Sequence, residues 1–133
     1  MKETQKKILA VLIVEDEAAV SGVLRDNLEN EGFEVFIATD GEEGLNMALK
    51  EKPDLILLDI LLPKIDGTTV MQKLREDSWG KTVPIILLTN LEADAEKMRR
   101  VAKDEPAYYM VKSAWKMEDV VAKVKEVLET DKK

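Results

Sequence analysis

The chain contains no cysteine and no histidine. Without cysteine there are no disulfides, no thiol nucleophile and no thiolate metal site. Without histidine there is no Ser-His triad, no imidazole zinc site and no histidine that could donate a phosphoryl group. The chemistry must come from carboxylates, hydroxyls, lysines and backbone. Long apolar runs are missing as well, and none approaches the ~20 residues needed to span a bilayer. The opening "MKETQKK" is basic, but the apolar run after it is short and reads into a strand rather than a cleavable signal. A cytoplasmic protein without a membrane partner is therefore expected. Positive charge is in deficit: the formal net charge of −7 argues against a surface that tracks phosphates, so no direct nucleic-acid partner is expected. No repeat, low-complexity block or Pro/Gly/Ser linker interrupts the 133 residues. The expectation is one domain over 1–133, with its core at about 8–128, charged tails, and no output domain.

What the chain does have is alternation between two kinds of apolar segment. Short Val/Ile/Leu-rich runs occur at "ILAVLIV" (Ile8 to Val14), "FEVFIA" (Phe33 to Ala38), "DLILLD" (Asp54 to Asp59), "VPIILLT" (Val83 to Thr89) and "AYYMVK" (Ala107 to Lys112). The first, third and fourth are almost continuously apolar, as in parallel strands covered on both faces, and the second and fifth suit the edges. Between and after them lie stripes at helical spacing: Val20, Leu24 and Leu28; Leu45, Ala48 and Leu49; Val70, Met71 and Leu74; Leu91, Ala95, Met98 and Ala102; Met117, Val120, Val121, Val124 and Leu128. Gly32 stands where the first helix should stop, and Pro53 follows the second. Five β-α units predict an α/β fold, a doubly wound five-stranded parallel sheet of (βα)5 flavodoxin-like type with strand order 2-1-3-4-5. Ligands of such sheets bind beyond the carboxyl ends of the strands, at the switch between the first and third.

The ends of these runs carry the chemistry. The first ends in Glu15 and Asp16, the third in Asp59, the fourth in Thr89 and the fifth in Lys112. Any single acid is unremarkable among 27, and Glu15 or Asp16 alone reads more readily as solvated charge at a helix start. Asp59 is different, because an acid directly after "LILL" in a central strand faces a costly site unless it is paired. Three acids at one edge favour a cation, and oxygen ligands alone favour a hard divalent ion such as Mg²⁺. With Lys112 as a second positive charge and Thr89 as a hydroxyl, the set suits phosphoryl transfer to Asp59 itself.

Taken in order, Glu15-Asp16, Asp59 within "DILLPKIDG", Thr89, and Tyr109 with Lys112 in "YMVKS" resemble the receiver domain of two-component response regulators, over Ile8 to about Leu128. The resemblance implies that Asp59 is the phosphoacceptor. It implies that Asp16, Asp59 and the backbone carbonyl of Leu61 bind Mg²⁺, with Glu15 assisting through water. Thr89 would hydrogen-bond the phosphoryl group, Lys112 would pair with it, and Tyr109 would turn inward on activation. The implied partner is a histidine kinase or a histidine phosphotransfer protein, docking near Ala19 and Val23 of the first helix. Leu61 and Asn90 would tune the phosphoryl lifetime. The chain would be a signalling receiver rather than an enzyme, monomeric or weakly dimerising on phosphorylation.

Three positions depart from the family pattern. Ser113 replaces the usual proline after the lysine, Asn90 replaces a smaller residue, and "KDEP" replaces a small-residue turn. Other readings fit less well. A haloacid-dehalogenase-like phosphatase wants an acid two residues after the nucleophile, where Leu61 stands. An FMN module wants a hydroxyl- or glycine-rich phosphate loop where "EDEAAVSG" stands. A degenerate receiver that only docks partners would not need the whole acceptor set. "PKIDG" reads as turn chemistry with Gly67 letting the chain bend, and Trp79 and Trp115 as covers for core edges.

Overall fold

The five apolar runs become five strands. A computed structural model of the chain describes residues 8–89, 108–111 and 116–131. The strands are β1 (Ala10–Val14), β2 (Glu34–Ala38), β3 (Leu55–Asp59), β4 (Ile85–Thr89) and β5 (Tyr108–Val111). All pairings are parallel, in the order β2-β1-β3-β4-β5, which is the order expected. Four helices are described: α1 (Ala18–Asn30), α2 (Gly41–Glu51), α3 (Gly67–Arg75) and α4 (Met117–Asp131). The stripe from Leu91 to Ala102 lies outside the described residues.

The strands are shorter than the runs that predict them. Ile8 is largely exposed, and Pro84, with no N–H to give, contributes only its carbonyl, which accepts the amide of Ile56 at 3.0 Å. Within each strand, successive side chains alternate between two cores. Leu12, Val14, Ile56, Leu58, Ile85 and Leu87 pack with Ala48 of α2 and with Val70, Met71 and Leu74 of α3, and half-buried Trp79 covers that cluster. Val11, Ile13, Leu55, Leu57, Ile86, Leu88 and Met110 pack on the other face with Leu24 and Leu28 of α1 and Val120, Val124 and Leu128 of α4. Burying each such side chain contributes about 1.5–3 kcal/mol, so two full faces account for most of the favourable energy.

Helix ends follow the sequence signals. After α1 the amide of Gly32 donates to the Glu29 carbonyl (3.0 Å) and that of Phe33 to Leu28 (3.2 Å), with Gly32 at φ 95°. This pair of reversed bonds closes the helix and needs a left-handed residue, which glycine supplies without strain. Two positions depart from the stripes. Ser21 is buried in α1, its hydroxyl donating to the Ala18 carbonyl (3.3 Å), while Val20 is only partly covered. In α2, Leu49 turns outward, because Gly44 lies directly against the Val14 side chain and brings the Gly41–Gly44–Ala48 face onto the sheet.

Candidate functional site

Parallel register determines which residues meet at the carboxyl edge. Val14 of β1 is level with Leu58 of β3, so the next residues, Glu15 and Asp59, emerge side by side. Strand alternation gives both the parity of Ile13 and Leu57, on the α1/α4 side of the sheet. Glu15 is fully buried, Asp59 is 4% exposed, and Asp16 opens to solvent. One ligand oxygen from each of the three lies within 4.8 Å of the others. Backbone amides reach two of the carboxylates, those of Glu15 and Asp59. The Glu15 amide continues the ladder by donating to Ala38 (3.0 Å), its carboxylate accepts the Glu17 amide (3.2 Å), and Asp59 accepts the Leu61 amide (3.2 Å).

The donor set is oxygen throughout, two carboxylates below the surface and one at it, and it fits a hard divalent cation arriving from solvent. The arrangement is a candidate metal site. An ion held there would add positive charge beside Asp59, the buried acid that ends β3.

The segment after Asp59 is pinned at its base. The Ile60 amide donates to Leu88 (3.1 Å), and the Ile60 carbonyl accepts the Gly67 amide (2.7 Å). Gly67 then begins α3, with Asp66 as its cap, accepting from the Thr69 amide (3.0 Å) and the Thr68 hydroxyl (2.7 Å). A β-carbon on Gly67 would collide with the Asp59 carbonyl oxygen. Gly67 is required here for space beside the Asp59 peptide, more than for the bend that its sequence context suggests. The adjacent "DG" signal marks the turn but carries no sign of that contact.

The other expected positions fall as follows. Thr89 ends β4 level with Val111 of β5, and Tyr109 is level with Leu87. Asn90, Lys112, Ser113 and Trp115 lie outside the described residues. Leu61 is 48% exposed, and Ala19 and Val23 are exposed on α1, opposite its buried Ser21–Leu24–Leu28 face.

Residues 11–125 match the family model of the response regulator receiver domain. The chain belongs to this family. Among curated relatives, it is 37% identical over 118 residues to the DNA-binding dual master transcriptional regulator RpaA of Synechocystis, an alignment covering 89% of this chain and 48% of RpaA. The chain spans about half the length, or less, of the curated relatives it matches. Among solved structures, a CheY-like receiver domain protein from Methanospirillum hungatei superposes with a TM-score of 0.86 at 29% identity, covering 95% of this chain and 98% of that one. The receiver domain of a sensor histidine kinase from Pseudomonas aeruginosa, solved with a magnesium ion coordinated in its active site cleft, gives 0.78 at 28% identity, covering 93% and 97%. Receiver domains of response regulators are signalling modules, and their partners are histidine kinases. Among the described residues no helix is long and apolar enough to cross a membrane.

Proposed function

We propose that this receiver accepts a phosphoryl group on Asp59 from a phosphohistidine of a histidine kinase or phosphotransfer protein. The observation that carries the reading is the meeting of Glu15, Asp16 and Asp59 at the carboxyl edge of β1 and β3. Asp16, Asp59 and the Leu61 carbonyl would hold Mg²⁺, with Glu15 acting through water. The bound ion supplies charge neutralisation for the transferred group. An Asp59 carboxylate oxygen attacks phosphorus, the new P–O bond forms as the P–N bond breaks, and the electron pair leaves with the imidazole nitrogen. The Leu61 amide, already donated to Asp59, holds the carboxylate in one orientation for attack.

Thr89 would then hydrogen-bond the phosphoryl oxygens and Lys112 would neutralise them. Drawn toward that added charge, roughly two units, Thr89 makes room for Tyr109 to turn inward and alters the face a partner reads. Ala19 and Val23 would receive the kinase. Leu61 and Asn90 would govern how water reaches the phosphorus. The chain is read as a signalling domain of 1–133 in the cytoplasm, without direct contact to nucleic acid, which the net charge of −7 disfavours.

Incubation with acetyl phosphate and Mg²⁺, read by intact mass, tests this. The parent should gain one phosphoryl group, and chelation of the metal should prevent it. Asp16→Ala should gain none while melting, in metal-free buffer, no lower than the metal-free parent, since it relieves repulsion among the acids. Unmodified parent protein at saturating donor and metal would rule the reading out.

A further inference from the structure

The side chain of Leu61 is half exposed and anchors only weakly the Leu61 peptide on which the proposed metal site depends, so that peptide relies on its neighbours. On one side its amide bonds to Asp59. On the other side the loop runs to a tip at Pro63–Ile65, and that tip is fastened to the start of α2. The Pro63 carbonyl accepts two amides, from Gly41 (3.2 Å) and from Ile65 (2.8 Å), closing a three-residue turn centred on Lys64. Lys64 sits at φ 70°, a region that residues with a β-carbon occupy only when their surroundings hold them there. Gly41 has no room for a β-carbon, which would overlap the Ile65 carbonyl oxygen.

The side chain of Lys64 completes the fastening. Its ammonium lies 3.6 Å from Asp40 and 4.0 Å from Glu42. Asp40 is no loose surface acid, because its side chain is only 18% exposed and its other oxygen caps α2 by accepting the Glu43 amide (2.8 Å). The ammonium therefore meets a carboxylate whose position the helix already determines.

We propose that Asp40 and Lys64 are positioning residues for the metal site: their ion pair, with the Gly41–Pro63 bond, holds the strained loop tip on α2 and so aims the Leu61 carbonyl and the Asp59 carboxylate. The inference rests on the proposed role of the Leu61 carbonyl as a Mg²⁺ ligand. Neither residue touches the ion. Lys64 is 62% exposed, so water screens the pair and its effect on affinity is modest, about three- to fivefold.

Charge alone and positioning make opposite predictions for one of the two residues. Removing the Lys64 ammonium leaves the acidic edge more negative and by long-range attraction would tighten cation binding, whereas neutralising Asp40 would loosen it. If the pair acts by positioning, both changes loosen binding. Asn at position 40 retains the helix cap, so Asp40→Asn removes only the charge.

Calorimetric titration of the full chain with Mg²⁺ alone decides. Lys64→Met and Asp40→Asn should each weaken the metal about three- to fivefold, the double variant should be no weaker than either, and Lys64→Arg should match the parent. Metal-free melting temperatures should stay together across the set. Lys64→Met binding as tightly as the parent or tighter, an additive double variant, or losses that track a lowered metal-free melt would each overturn the positioning role. A parent that binds no Mg²⁺ would overturn the metal site itself, and the positioning role with it.

Discussion

Glu15 and Asp59 leave neighbouring strands one step beyond the paired Val14 and Leu58, both buried, with ligand oxygens within 4.8 Å of each other. Carboxylates that close disfavour one another's ionised forms, and a divalent ion shared with exposed Asp16 relieves that repulsion. Because an ion bound only by the native state stabilises it, Mg²⁺ at about a hundred times its dissociation constant should raise the melting temperature by roughly 8–10 °C. Asp16→Ala should lose most of that rise. Melts with and without Mg²⁺ check both, and an unchanged parent midpoint at saturating metal would count against the site.

Gly67 abuts the Asp59 carbonyl oxygen, so a methyl group there has to displace the backbone that carries the acceptor. Gly67→Ala should cost about 1–3 kcal/mol in denaturant melts and weaken Mg²⁺ binding as well. Retention of both parent values would mean that the loop absorbs the methyl elsewhere.

Much of this was legible in the sequence, for physical reasons that also mark where reading stopped. Strand order followed from the apolar continuity of the β1, β3 and β4 runs, and the acids were found because charge ending a buried strand is costly. Burial of Ser21 was invisible, since its hydroxyl is satisfied within its own helix turn and leaves no apolar mark. Spacing alone points Leu49 inward, but Gly44 tilts the contact face of α2 by admitting Val14 where a larger residue would stand off. The turn reading of "PKIDG" gives Lys64 no part of its own, because its left-handed backbone and its approach to Asp40 arise from where α2 begins, not from the lysine's neighbours in sequence.

Val23 is 47% exposed on α1, one turn from exposed Ala19, and an apolar pair beside the acidic edge gives a partner something to cover. Val23→Asp should slow phosphoryl transfer from a cognate kinase about tenfold and leave labelling by acetyl phosphate unchanged, as a buried contact worth about 1.4 kcal/mol would. Parallel kinetics with the two donors separate the effects. Equal loss with both would assign Val23 to the acceptor site instead.

Leu61 offers no polar atom from its side chain, so it can exclude water but cannot orient it. Leu61→Asn should shorten the phosphoryl lifetime severalfold, and Asn90→Ala should shift it by widening access. Decay of the phosphorylated protein after donor removal in excess Mg²⁺ measures this. Decay of the parent within seconds, or no acceleration in Leu61→Asn, would remove Leu61 as the barrier.

Site-resolved mass spectrometry of the protein after acetyl phosphate treatment in Mg²⁺ tests the phosphoacceptor role of Asp59 most directly. The account predicts a single phosphoryl group on the peptide containing Asp59, absent when metal is chelated and absent in Asp59→Asn. A phosphoryl group on any other residue of the parent, or undiminished labelling of Asp59→Asn, would contradict it.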